Sequence, residues 1–360
     1  MEYGEFEYQK LLEKVVKDET SWSVISSINF EERSLRFGQD LLHSLERKKS
    51  GDLHWFPIRL ISHRTSPWST LEMVKNQFER KLETISRSIG FNFRSYLLEY
   101  PLTQDLILEI LSKARGRTKS PPKLILDLSA LPRNIITFAC DIVLGIHSES
   151  WHVNFDEIYF VFTPPEREIS AQIPYHMTVG SIKGVYHPEI AQRSSDLFKT
   201  TLIVFPGNGG FEAQVAVDTL RGHQTKIHIA VDCFDPTFPT AMDRLIRNLS
   251  LVADASSGAL EIDYYFSQTD ALRVALELVD QAVMLCEEFP NARHSFLCAP
   301  FGSKWSVLVS SLARLEFLKQ TRISVPDGHV MTDILGLSTN QYVSLYSRGS
   351  KTPFVLRADL

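Results

Sequence analysis

Cysteine is scarce: Cys140, Cys233, Cys286 and Cys298 are the only four in 360 residues. They form no CxxC pair and have no histidine at zinc-ligand spacing, so the expected state is buried free thiols, with no disulfide and no metal holding the fold. No apolar run is long enough to cross a bilayer. The first residues, MEYGEFEYQKLLEKVVKDE, are acidic and amphipathic where a signal sequence would be basic and then apolar, so a cytoplasmic protein without membrane attachment is expected. An excess of positive charge is also missing. A formal net charge of −5 argues against coating nucleic acid by bulk electrostatics, and any polyanion would have to be met locally. The Walker lysine pattern, GxGxxG, HExxH and GxSxG do not occur, which removes the usual sequence support for ATP hydrolysis, NAD binding and the common hydrolase chemistries. No cofactor is expected, and the catalytic residues, if there are any, are not identified.

What is present is ordinary globular material. Apolar residues at 44% and charged residues at 22% leave little room for extended disorder, and the length fits two domains. The chain reads as an α/β protein of two tandem Rossmann-like units, each with a mostly parallel five-stranded sheet flanked by helices. In the first, WSVISSIN is an apolar strand followed by FEERSLRFGQDLLHSLERKK at helical spacing. WFPIRLI, FRSYLLEY, KLILDLS and DEIYFVF supply four more strands, alternating with helices over Pro67 to Ile89, over TQDLILEILSKARG with its terminal glycine, and after LPRN.

The second copy starts at TTLIVFPGNGGFEAQVAVDTLRG. It continues through KIHIAVD, a helix over Pro239 to Ala253, LEIDYYF, TDALRVALELVDQAVMLCEEF and HSFLCAPFGSKWSVLVSSLARLEFL, and QYVSLYS closes it as the fifth strand. Two details recur between the copies: FEERS matches GFEAQ after the first strand, and LDLSALPRN matches LCAPFGSKW at the fourth. The expected boundaries are 1–165 for the first unit, 166–200 for a linker or packing arm rich in Pro, Gly, Ser and His, and 201–360 for the second. RISVPDGHVMTDILGLST, from Arg322 to Thr339, reads as an insert with no counterpart in the first copy.

Right-handed crossovers order five such strands 3-2-1-4-5, and ligands bind where the winding reverses, at the carboxyl ends of strands one and four. In the first copy this places Asn29, Glu31, Arg33, Ser129 and Arg133 around the reversal, with Pro132 beside Arg133. In the second it places Asn208, Gly209, Gly210, Glu212, Gly302, Ser303 and Lys304 there. The run Pro206 to Gly210 lets backbone approach a ligand closely, as a phosphate-cradling turn requires, although a plain strand-to-helix turn has the same composition. A lysine or arginine at a helix start opposes the macrodipole unless an anion sits there, so Lys304 and Arg133 point to anion binding. Glu31, Glu32 and Glu212 follow first strands at helix starts, where the dipole by itself favours carboxylates, and Glu31 or Glu212 with Arg133 or Lys304 are the candidate groups if the chain is an enzyme.

FLCAPFGSKWSVL, and less closely LILDLSALPRNIITF with proline replacing the glycines and arginine replacing lysine, resemble the fourth-strand turn of CARF-like Rossmannoid domains. These are sensors of cyclic oligoadenylates in prokaryotic immunity. The resemblance covers only these turns. It implies a nucleotide-sensing or regulatory role, a nucleotide or other phosphate-bearing small ligand, and an effector or complex protein as partner. Two other classes stay open: a scaffold subunit of a multi-protein defence complex, and an enzyme acting on nucleotide phosphates.

Overall fold

The computed structural model describes residues 2–29, 31–45, 53–61, 68–89, 96–99, 103–116, 120–146, 151–170, 181–187, 198–206, 211–220, 225–232, 260–265, 267–324, 326, 329–338, 345–350 and 353–359. The chain divides into two units, Met1–Pro174 with Val343–Leu360, and Tyr175–Tyr342. Each is α/β and built on a mixed sheet.

The first unit opens with β1 (Glu2–Phe6) and α1 (Tyr8–Lys17), then alternates β2 (Trp22–Ile28), α2 (Arg33–Leu45), β3 (Leu53–Ile61), α3 (Trp68–Ser88), β4 (Tyr96–Glu99), α4 (Gln104–Arg115), β5 (Lys123–Asp127), α5 (Arg133–Val143) and β6 (Glu157–Phe162). The five strands from β2 to β6 pair in parallel in the order β4-β3-β2-β5-β6, with the first of the set beside the fourth. β2 is buried along its whole length, as a central parallel strand covered on both faces must be. Its serines are accommodated because each finds a partner. Ser23 Oγ donates to Ala114 O at 2.6 Å, Ser27 Oγ donates to Ala130 O at 3.2 Å, and Ser26 Oγ accepts from Trp55 Nε1 at 2.9 Å. Around this sheet Trp22, Val24, Trp55, Tyr159 and Val161 pack with Leu11, Leu12, Phe37, Leu41 and Leu82 of the covering helices. α4 begins and ends where expected. Thr103 Oγ1 accepts from Leu106 N at 3.3 Å, and Gly116 at φ 62° closes the helix by donating to Ser112 O.

The second unit runs β8 (Ser181–Gly184), β9 (Phe198–Phe205), α6 (Phe211–Leu220), β10 (Thr225–Asp232), β11 (Leu260–Tyr265), α7 (Gln268–Glu288), β12 (Arg293–Pro300), α8 (Lys304–Ser324) and β13 (Val330–Ser338). Its parallel strands repeat the order of the first unit as β11-β10-β9-β12-β13, and β8 adds an antiparallel edge to β13. Leu202, Val204, Ile229, Leu297 and Leu335 pack there with Ala213, Ala216 and Val217 of α6 and with Ile182 of β8.

Four expectations are corrected. QYVSLYS is not the fifth strand of the second unit: Leu345–Ser350 forms β14, which pairs antiparallel with β7 (Pro165–Ser170) in a separate ribbon. The fifth strand is β13, inside the segment read as an insert, where Asp333 and the glycines masked an otherwise apolar run. The last residues do not belong to the second unit. β15 (Phe354–Asp359) lies antiparallel between β6 and β1 and extends the first sheet to seven strands, and β8 extends the second to six, so both sheets are mixed and larger than five strands. The stretch 166–200 is more than a linker, since it holds most of β7, all of β8 and the start of β9. The helix expected over Pro239 to Ala253 lies outside the described residues.

Candidate functional site

At the carboxyl edge of the first unit, β2 and β5 are register neighbours, Ile25 facing Leu126, so the loops that leave them meet. They meet through their own polar groups. Asn29 Nδ2 donates to Ala130 O at 3.1 Å, the same carbonyl that accepts from Ser27. Ser34 Oγ donates to Asn29 O at 3.2 Å and accepts from Asn29 N at 3.4 Å, which closes the entry to α2. Arg33 Nε donates to Glu31 Oε2 at 2.5 Å, and the two side chains are 11% and 9% exposed. The Glu31 carboxylate is therefore held by a neighbouring cation, and its backbone carbonyl accepts from Ser34 N at 2.9 Å. After β5, Asp127 Oδ1 accepts from both Ser129 N at 3.0 Å and Ser129 Oγ at 2.5 Å, while Ser129 Oγ accepts from Thr163 N at 2.9 Å. Both residues are buried. This Asx-type turn is tied to the end of β6, and Leu128 N also donates to Val161 O at 2.8 Å. Arg133 is exposed at the first position of α5, whose N-cap, Pro132, supplies no side-chain bond.

The corresponding edge of the second unit is built differently. β9 and β12 pair from Phe198 opposite Arg293 to Phe205 opposite Pro300, which brings the two strand ends together. A Cβ on Gly302 would stand 3.3 Å from Pro206 O and 3.6 Å from Phe205 O, so glycine lets the loop after β12 lie close against the end of β9. Ser303 O then accepts from Ser306 N at 3.0 Å and Ser306 Oγ at 2.6 Å in the first turn of α8. Trp305, buried, donates from Nε1 to Gln268 O at 2.9 Å and docks the helix start on α7. Gly302, Ser303 and Lys304 are half-buried, and no acidic residue lies in the first turn of α8. Glu212 is half-buried in the first turn of α6. Asn208, Gly209 and Gly210 lie outside the described residues.

Two acids that the sequence reading passed over organise these units. Asp127 ties the turn after β5. Its only sequence signal is an Asp at a strand end with Ser two positions on, the signature of an Asx turn. Asp333 is buried in the middle of β13 and accepts from Val185 N at 3.1 Å, Tyr186 N at 3.2 Å and His187 N at 2.7 Å. An Asp inside an apolar strand was the available signal for it. Asp127 also acts at a distance: burial first, then Asp40, then Asp127, push the Tyr8 hydroxyl well above its ordinary range.

Among the described residues no group of three or more His, Cys, Asp or Glu side chains is placed to hold a metal ion, and no helix is long and apolar enough to cross a membrane. Comparison of the sequence with protein-family models and with curated proteins returns no match.

Proposed function

We propose that the chain is a pair of tandem Rossmann-like units of which the second binds a phosphate-bearing ligand, a nucleotide in the first instance, in a sensing or regulatory role. The observation that carries this reading is the approach of the Gly302 loop to Pro206 at the head of α8. It supports a backbone surface where helix N-terminal amides and the Lys304 ammonium face one anion. The strand orders of the two units support the tandem reading, and the fourth-strand turns, in their resemblance to CARF-like domains, support a place in prokaryotic antiviral defence.

The test is calorimetric titration with ATP and with a cyclic oligoadenylate. Lys304→Ala is expected to weaken binding about ten-fold or more, the effect of losing a charge-assisted bond of about 1.5–3 kcal/mol, with the melting temperature unchanged. Failure of the wild type to bind either probe would remove this reading.

One observation favours a second reading for the first unit. Asn29, Glu31, Arg33 and Ser129 bond to partners within that unit, so its edge fits a structural or scaffold role in a multi-protein complex better than ligand binding. Binding of one ligand per chain is expected on this view, and two would contradict it.

A further inference from the structure

We propose that the segment Ser181–His187, which straps the edge of the second sheet, responds to occupancy of the Lys304 edge and is the element through which that edge is regulated; this rests on the ligand-binding reading of Lys304. α8 is continuous from Lys304 to Ser324. Ten residues along it, about 15 Å from Lys304 at the rise of an α-helix, Arg314 is fully buried with its guanidinium carbon 5.4 Å from the centroid of the Tyr186 ring. Tyr186 sits in the run of three amides that donate to Asp333, and β8 just before it pairs with β13 over four residues only. A ligand that draws in the first turn of α8 displaces the helix as a rod. The neighbours of the helix differ in stiffness. β12 is hydrogen-bonded on both sides, to β9 and to β13, whereas the strap is an edge: among the described residues β8 pairs with β13 alone, with Ile182 in the core, and the residues after it are held by the Asp333 carboxylate, the bond from Val185 N to Ile334 O and the Tyr186 ring. The lightest attachment yields first. Because coupling of binding free energies is reciprocal, loosening the strap must also change affinity at Lys304.

The experiment is hydrogen exchange of the Val185, Tyr186 and His187 amides in the full chain, with and without ATP and a cyclic oligoadenylate. It is paired with calorimetry on Tyr186→Leu, whose folding is checked by its melting temperature. The expected result is a three-fold or larger change in exchange of these amides on ligand addition, together with a three-fold or larger change in Kd for Tyr186→Leu. If a probe binds but either quantity stays within two-fold, the strap proposal is overturned and the site reading stands. If neither probe binds the wild type, both fall.

Discussion

Asp333 Oδ2 lies 2.7 Å from the backbone nitrogen of His187, and this single carboxylate also receives the amides of Val185, Tyr186 and its own neighbour Ile334. It does for the strap what a bound anion does in a backbone nest. Asp333→Ala removes the acceptor of the Tyr186 and His187 amides, while Val185 N keeps its bond to Ile334 O, and is expected to cost the second unit about 2–4 kcal/mol in urea unfolding, with Asp333→Asn recovering part of it. Gly184→Ala should be comparably damaging, because a Cβ there would stand 2.2 Å from Asp333 Oδ2 and 2.5 Å from His187 O. Wild-type stability in both variants would show that the strap is held by something else.

Glu157 ties α1, the parallel sheet and the C-terminal strand together. Its carboxylate takes Lys14 Nζ at 2.6 Å, Lys123 Nζ at 3.1 Å and the Tyr159 hydroxyl, with Arg357 Nε at 3.6 Å. Burial pushes this carboxyl up, but the bonds from Lys14, Tyr159 and Lys123 outweigh it and hold the group at about 2 against an ordinary 4.5. The unfolded chain therefore takes up the proton first as pH falls. The stabilisation is complete above about 4.5 and is lost progressively as pH falls toward about 2. Its size is about 2–3 kcal/mol. Urea midpoints measured from pH 6 down to about pH 3 should fall in wild type and fall less steeply in Glu157→Gln, which starts from a lower plateau. Parallel curves for the two proteins would contradict the assignment.

Gly38 lies in the middle of α2, where alanine ordinarily gains about 1 kcal/mol of helix propensity. Here a Cβ would meet Trp55 Cη2 and Cζ2, each at 2.9 Å, on a ring pinned by its bond to Ser26. Overpacking of about 1–3 kcal/mol should outweigh the gain, so Gly38→Ala is expected to unfold at lower urea with altered tryptophan fluorescence. A stabilised Gly38→Ala would mean that α2 moves away from β3 at little cost.

Cys140, Cys286 and Cys298 are buried free thiols. Burial, then the adjacent Asp141 carboxylate, raises Cys140 well above its usual value, and burial with Glu287 takes Cys286 to about 11. Of the four cysteines in the sequence, at most one should react with Ellman's reagent within minutes in the native protein, and all four in urea. Rapid labelling of two or more native thiols would show that these helices and strands open readily.

Local pattern was enough to read the βα alternation. The apolar runs at WSVISSI and KLILD, the Thr103 and Gly116 boundaries of α4, and the crossover rule together led to first and fourth strands lying side by side in both units. These are short-range propensities plus one chirality constraint, and both are written in neighbouring residues. The sequence also put Gly302 and Lys304 at a strand-to-helix turn, because glycine followed by a charged helix start is a local signal. Only the tertiary structure decided which strand joins which sheet. β15 pairs with β6 across nearly two hundred residues, and no periodicity within FVLRAD carries information about that partner. The same holds for Asp333, which by composition weakens a strand. It becomes the anchor of Val185–His187 only because folding brings three backbone amides, some 146 residues away in the chain, onto its two oxygens. A buried carboxylate is costly alone and stabilising when its bonds are supplied, and those bonds come from a distant part of the chain.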